Sequence, residues 1–246
     1  MPDPTLICIA ALILAIAAFV QSATGFGMAL VCMAGLPLIM QVPEAVALAA
    51  VFNLLVTANV MWLNRSGFSW PKAWPLALAM VIGIPLGYFG FKSIDATLII
   101  RILGGLLVTI SLTDLRLSER GPEKALQLPR WAAFPIGLGG GILGGAFNIG
   151  GPPIVAYVYY QNWSKAQAVA VLQSCFLAGG ITRNLLMAGQ GDYSKGLFVI
   201  VAAAIIPAAI AIWLGKRTLD RLPQSLLRKI VFIFVLLMGI KYLIWP

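Results

Sequence analysis

Gly144-Gly145-Ala146-Phe147-Asn148-Ile149-Gly150-Gly151-Pro152-Pro153 cuts an apolar stretch in the second half of this chain, and Gln21-Ser22-Ala23-Thr24-Gly25-Phe26-Gly27 cuts one in the first. The surroundings give these breaks their meaning. Of 246 residues, 61% are hydrophobic and only 10% are charged, and the mean hydropathy is +0.95, far above an ordinary soluble domain. The chain reads as an all-α polytopic membrane protein. Inside a bilayer, non-helical backbone survives only where it is buried in protein or lines a cavity. A matched pair of broken hydrophobic segments therefore points to a transporter's substrate site.

Working outward from the breaks, apolar runs recur at 5–20, 26–40, 43–63, 72–91, 97–113, 131–147, 152–160, 165–189, 195–214 and 226–244. Several reach the roughly 20 residues that a spanning helix needs, whereas 5–20, 26–40 and 152–160 are short for it. Met1-Pro2-Asp3-Pro4 offers no basic leader and the first run meets no A-x-A site, so that segment is expected to stay in the mature protein. Cys8, Cys32 and Cys175 are scattered through apolar segments, a spacing that suits neither a metal site nor a disulfide framework, and they are expected to be small buried hydrophobes. The chain has no histidine, the side chain used most for proton transfer near neutral pH. No catalytic residue, metal or cofactor is expected, and an enzyme is disfavoured.

The two halves share an order of parts. Each runs from a glycine-broken pair to a polar lead-in (Pro43-Glu44-Ala45, Ser164-Lys165-Ala166) and a long helix carrying amides. A small loop follows (Gly67-Phe68-Ser69, Asp192-Tyr193-Ser194), then a helix with a proline (Pro85, Pro207), a glycine-to-aspartate step (Gly90 to Asp95, Gly215 to Asp220) and a last helix. This predicts a single transmembrane domain over 1–246, with repeat 1 at about 1–117, a cytoplasmic linker at about 118–130 and repeat 2 at about 131–246. Lys and Arg mark cytoplasmic loops. If each broken pair crosses once, basic residues divide almost evenly between the faces. If each pair goes in and returns to the same side, Lys92, Arg101 and Lys195 oppose all the others near the loops, from Arg65 and Lys72 to Arg228 and Lys229. The second arrangement is the expected one, with glycine-broken re-entrant or short-helix pairs, about three spanning helices in each repeat, and repeats inverted in topology.

Helices starting near Gly27 and Pro152 present N–H groups and positive dipole ends, which attract anions. The expected substrate-binding residues of the first break are Gln21, Ser22, Thr24, Gly25, Phe26 and Gly27, and those of the second are Asn148, Ile149, Gly150 and Gly151. Gly104-Gly105 and Gly139-Gly140-Gly141 read instead as packing glycines. Arg183 lies within the 165–189 run, where a charge is costly enough to suggest function. Its fork suits an oxyanion; the competing reading is that it reaches the interface or a carboxylate. Asn53 and Gln173 complete the expected lining, though such amides also hold helices together.

The break Thr24-Gly25-Phe26-Gly27 followed by an apolar run and Pro37, and its later counterpart Gly144 to Pro153, resemble the TauE/SafE family of anion exporters. The likeness covers nearly the whole chain. It implies a multi-pass carrier of the bacterial inner membrane for sulfite or an organosulfonate such as sulfoacetate. The first repeat departs from the family's frequent run of three glycines. The expected function is thus a secondary transporter exporting a small sulfur oxyanion held between two glycine-broken helix N-termini. Alternatives are an importer of a related anion, or a non-transporting membrane assembly subunit. Expected partners are the anion and membrane lipid, with a homodimer left open. Basic residues scattered over short loops form no nucleic-acid patch, and much of the net charge of +9 is explained by loops that face anionic lipid.

Overall fold

The structure is a computed structural model that describes residues 3–63, 65–92, 94–119, 128–159, 161, 163–219 and 224–245. Among them the regular structure is helical: α1 (Pro4–Thr24), α2 (Met28–Gly35), α3 (Val42–Leu63), α4 (Trp70–Lys92), α5 (Ala96–Glu119), α6 (Ala133–Phe147), α7 (Gly151–Tyr159), α8 (Lys165–Gln190), α9 (Lys195–Leu219) and α10 (Gln224–Ile244). Short 3-10 turns at Leu36–Leu38, Arg65–Gly67 and Arg130–Ala132 join them. Six of the described helices, α1, α3, α4, α5, α8 and α9, are long and apolar enough to cross a membrane. By contrast α2, α6 and α7 have 8, 15 and 9 residues, too few at about 1.5 Å each to cross roughly 30 Å of hydrocarbon.

Local chemistry sets the boundaries. Asp95 Oδ2 accepts from Thr97 N–H at 2.9 Å and Leu98 N–H at 3.4 Å and so starts α5, and Ser164 Oγ accepts from Gln167 N–H at 3.3 Å to start α8. Pro85 and Pro207 sit inside α4 and α9. At the edges of the expected linker, α5 continues to Glu119 and Arg130 opens a turn, while 120–127, like Asp220, lie outside the described residues. Cys32 and Cys175 are buried as expected, but Cys8 lies on an exposed face of α1. Large apolar side chains such as Ile206, Leu185 and Ile210 are also exposed on long helices, where a bilayer replaces water as solvent.

Contacts divide the chain into two compact units, Met1–Ala49 with Ile94–Gly121 and Tyr193–Pro246, and Ala50–Ser93 with Pro122–Asp192. In the first, α1 packs on α9 and α5 on α10. Ser22 Oγ donates to Ile212 O at 2.8 Å across the α1 and α9 seam. A methyl group at Gly104 would come within 2.8 Å of Gly239 O, and one at Gly239 within 2.9 Å of Gly104 O, so the α5 and α10 backbones touch there. The short α2 folds back along α1, bringing Gly35 against Ile13. It is also held by α10, where the Phe26 and Phe232 rings lie 6.3 Å apart and Tyr242 Oη donates to Ala34 O at 2.7 Å.

The second unit is built on a glycine seam. Gly137, Gly141 and Gly145 of α6 meet the α4 backbone at Leu76, Met80 and Ile84 in turn, and Gly83 and Gly87 of α4 meet Leu138 and Ile142 of α6. The two helices therefore run parallel, with no room for side chains between them. Parallel to α4 runs α8: Lys72 Nζ donates to Gln167 Oε1 at 2.8 Å near their starts, and Lys92 Nζ, on the last residue of α4, lies 3.2 Å from Asp192 Oδ1 just past the end of α8. Antiparallel to α8 runs α3, with Ser174 Oγ 3.6 Å from Met61 Sδ and Asn184 Nδ2 donating to Ala50 O at 3.2 Å. From α6 the chain turns at Asn148 and comes back through α7. Its feet meet where Gln161 Nε2 donates to Leu128 O at 3.0 Å.

Candidate functional site

In the first unit, α1 ends because Gly25 adopts φ 84° and its N–H returns to Gln21 O at 2.8 Å, a left-handed cap that costs glycine little. Gly27, at φ 100°, starts α2. Thr24 stitches the turn: its Oγ1 stands 2.9 Å from Val20 O and 2.6 Å from Phe26 O, and Phe26 N–H reaches back to it at 3.4 Å. The buried Gln21 places Oε1 3.3 Å from Met28 N–H, so a side-chain amide dipole already faces the positive end of α2. Phe26 is buried against Phe232, whereas Ser22 faces α9 through its bond to Ile212. Between them, Thr24, Gly27, Val20, Phe26, Leu30 and Phe232 border a cavity of about 10 Å³, room for about one water.

The second break is more polar. Asn148 closes α6 at φ 59° and ψ 15°, the one described non-glycine residue with positive φ, a conformation that asparagine tolerates better than most. Its N–H donates to Gly144 O at 3.0 Å and that of Ile149 to Leu143 O at 3.4 Å. The Asn148 side chain is buried, and its Nδ2 has no hydrogen-bond partner, an arrangement that native proteins rarely leave unexplained. Gly150 packs where a methyl group would stand 2.5 Å from Gly140 O and 3.0 Å from Met80 Cε. Ile149 is wholly buried, and Gly151, the first residue of α7, faces Phe176 of α8.

Arg183 reaches this break from α8. It is 3% exposed, and its Nη1 donates to the carbonyls of both Gly144 and Gly145. Those carbonyls belong to the last turn of α6, the negative end of that helix, so a guanidinium there is favourable electrostatically. The residue thus goes neither to the interface nor to a carboxylate at this contact. It places a positive charge beside Asn148, since Gly144 O receives both the Arg183 guanidinium and the Asn148 N–H.

The structure therefore groups Asn148, Ile149, Gly150, Gly151 and Arg183 in the second unit, and Gln21, Thr24, Gly25, Phe26 and Gly27 in the first. Ser22 is turned into a helix seam. Asn53 is half-buried on α3 and accepts from Thr57 Oγ1 at 3.3 Å, and Gln173 is fully buried on α8. Gly144 and Gly145 belong to α6 rather than to the break, Gly145 being packed on Ile84 and Tyr88. Of the glycines read as packing residues, Gly104, Gly140 and Gly141 pack tightly, while Gly139 meets nothing within 4 Å. Sequence reading missed Met80 and Phe176 as walls of the break; helical spacing back from Arg183, seven residues to Phe176, is the signal that could have found the latter. Among the described residues no group of three metal-ligating side chains gathers.

No solved structure matches the chain. A protein of Cupriavidus necator named probable sulfite/organosulfonate exporter TauE is 25% identical over 230 residues, covering 87% of this chain and 84% of that protein. The family described as sulfite exporter TauE/SafE matches residues 10–242. With a match of that extent, on a helical chain with six candidate spans, this protein belongs to the TauE/SafE family of membrane exporters.

Proposed function

We propose that the chain is a secondary transporter that carries a small sulfur oxyanion, sulfite or an organosulfonate such as sulfoacetate, out across the bacterial inner membrane. The anion is held at the glycine-broken helix ends. The observation that carries this reading is the buried guanidinium of Arg183 at the second break, next to the unpartnered amide of Asn148. A buried positive charge fixed by helix-end carbonyls, with a neutral donor and the start of α7 beside it, suits an oxyanion more than a cation. The name of the Cupriavidus relative agrees in substrate class.

The same reading includes inverted repeats with broken pairs that dip into the membrane and return. Its support is the parallel course of α4 and α8 together with the bond between the feet of the α6 and α7 pair. Had α6 and α7 crossed once in line, α8 would run against α4. Further support comes from reciprocal pairing: α1 packs on α9 in one unit and α6 packs on α4 in the other, the swap expected if α1 matches α6 and α4 matches α9. Lys92, Arg101 and Lys195 then mark the outer face.

With the cell interior negative, an outward-moving anion gains about 2.3 kcal/mol per charge per 100 mV, so export can proceed as electrogenic uniport. The test is efflux of radiolabelled sulfite and sulfoacetate from proteoliposomes under potentials of either sign. Flux that responds to potential supports the reading; purified protein that moves neither anion rejects it in favour of an assembly role.

A further inference from the structure

The second unit holds a cluster of ionisable side chains that neither break uses. Tyr88 Oη donates to Asp192 Oδ2, and Lys92 Nζ stands 3.2 Å from both Asp192 Oδ1 and the Tyr88 oxygen. The Tyr88 residue is 7% exposed, whereas the Lys92 and Asp192 side chains are 44% and 27% exposed. A buried phenol at the base and an ammonium at the rim thus form a two-donor receptor, and a carboxylate sits in it.

This receptor lies at the same end of α4 as the second break. Gly145, near the end of α6, packs on Ile84 and on the backbone nitrogen of Tyr88, and one turn further the Phe91 ring lies 5.2 Å from that of Phe147, the residue before Asn148. The Phe91 and Phe147 ring pair thus ties the last turn of α4, which carries Tyr88 and Lys92, to the residue that precedes Asn148. Asp192 is not fixed within a helix. It directly follows Gly191, whose φ of 70° closes α8, and its N–H returns to Met187 O at 3.0 Å, so the backbone is held while the carboxylate remains free to turn about its own side-chain bonds.

We propose that Tyr88 and Lys92 are the outer-face exit site for the transported oxyanion, and that the Asp192 carboxylate occupies this site at rest as an intramolecular stand-in. The inference rests on the anion-export reading above and extends it to a second station. A carboxylate and a sulfonate offer the same chemistry to a phenol and an ammonium, namely oxygens that accept while sharing one negative charge. Exchange of one for the other keeps Lys92 paired and frees Asp192 to water. A partly exposed ion pair is weak enough for a millimolar anion to displace. If the cluster were only a clamp joining the α8 turn to α4, loss of Asp192 would leave the anion's affinity alone.

The experiment is sulfoacetate counterflow in proteoliposomes, with the half-saturating concentration measured from the outer face. Asp192→Asn is expected to lower that concentration about fivefold, and Lys92→Gln and Tyr88→Phe to raise it by a similar factor, about what one partly exposed charged contact is worth. The double variant Asp192→Asn with Lys92→Gln should show no gain over Lys92→Gln alone. Asp192→Glu, which keeps the charge, should resemble wild type and shows whether the turn tolerates substitution. An unchanged or raised value in Asp192→Asn, with wild-type exchange intact, overturns the exit site and leaves a clamp. Wild-type protein that exchanges neither sulfoacetate nor sulfite overturns the transport reading itself, and the exit site with it.

Discussion

Gln161 Nε2 donates to the carbonyl of Leu128 at 3.0 Å, so the residue two places beyond α7 lies beside one five places before α6. A segment of more than thirty residues thereby starts and ends at one place. The proposed returning pair requires such a closure, whereas a kinked single crossing would carry these two residues to opposite faces.

Single cysteines introduced as Leu128→Cys and Gln161→Cys, in a protein with Cys8, Cys32 and Cys175 replaced by alanine, should both react with an impermeant maleimide from the cytoplasmic side. Labelling is compared in inverted and right-side-out vesicles. Reaction of the two positions from opposite sides would sink the returning pair.

The glycine seam between α4 and α6 should be intolerant at specific places. Gly141→Val and Gly145→Val set branched side chains against Met80 and Ile84 backbone and should cost about 3 kcal/mol or more, beyond ordinary overpacking because backbone must move. Gly139→Ala, with nothing within 4 Å, should be neutral or stabilising by up to about 1 kcal/mol from helix propensity. Melting midpoints in detergent check both; equal loss at Gly139 and Gly141 would contradict the seam.

Arg183→Ala leaves the Gly144 and Gly145 carbonyls without the guanidinium. Expected is a loss of about 1–3 kcal/mol in stability together with loss of sulfite or sulfoacetate binding. Arg183→Lys, which keeps the charge without the fork, should regain part of the stability and less of the affinity. Full binding by a destabilised Arg183→Ala protein would restrict the residue to capping α6.

Asn148→Gly and Asn148→Ala separate backbone from side chain at φ 59°. Glycine accepts that conformation, so Asn148→Gly should fold, whereas Asn148→Ala carries about 1 kcal/mol of left-handed strain. If Nδ2 meets the anion, both variants lose affinity about tenfold or more, read by thermal titration with sulfoacetate. Wild-type affinity in Asn148→Gly would remove the amide from the site.

The helices were legible in the sequence almost residue by residue, because in an apolar solvent a run of apolar residues has little choice but to satisfy its backbone as a helix. Expected runs at 72–91 and 195–214 became α4 at Trp70–Lys92 and α9 at Lys195–Leu219. Both breaks were readable too, since Gly25, Gly27 and Asn148 are the residue types that accept positive φ. What composition could not assign was which glycines turn the chain and which let helices touch. Gly145 and Gly150 look alike in sequence, yet one meets α4 and the other the α6 carbonyl of Gly140.

Sequence by itself therefore determined the solvent, the helices, the places where they stop and the family. Only the tertiary structure decided that Arg183 turns inward onto the end of α6, that Ser22 leaves the break for α9, and that Tyr88, Lys92 and Asp192 come together. The physical reason is range. Helix formation and capping depend on neighbours within four residues, whereas the partner of an inward-turned guanidinium or hydroxyl, here 38 positions away for Arg183 and 190 for Ser22, is chosen by which helix faces pack together.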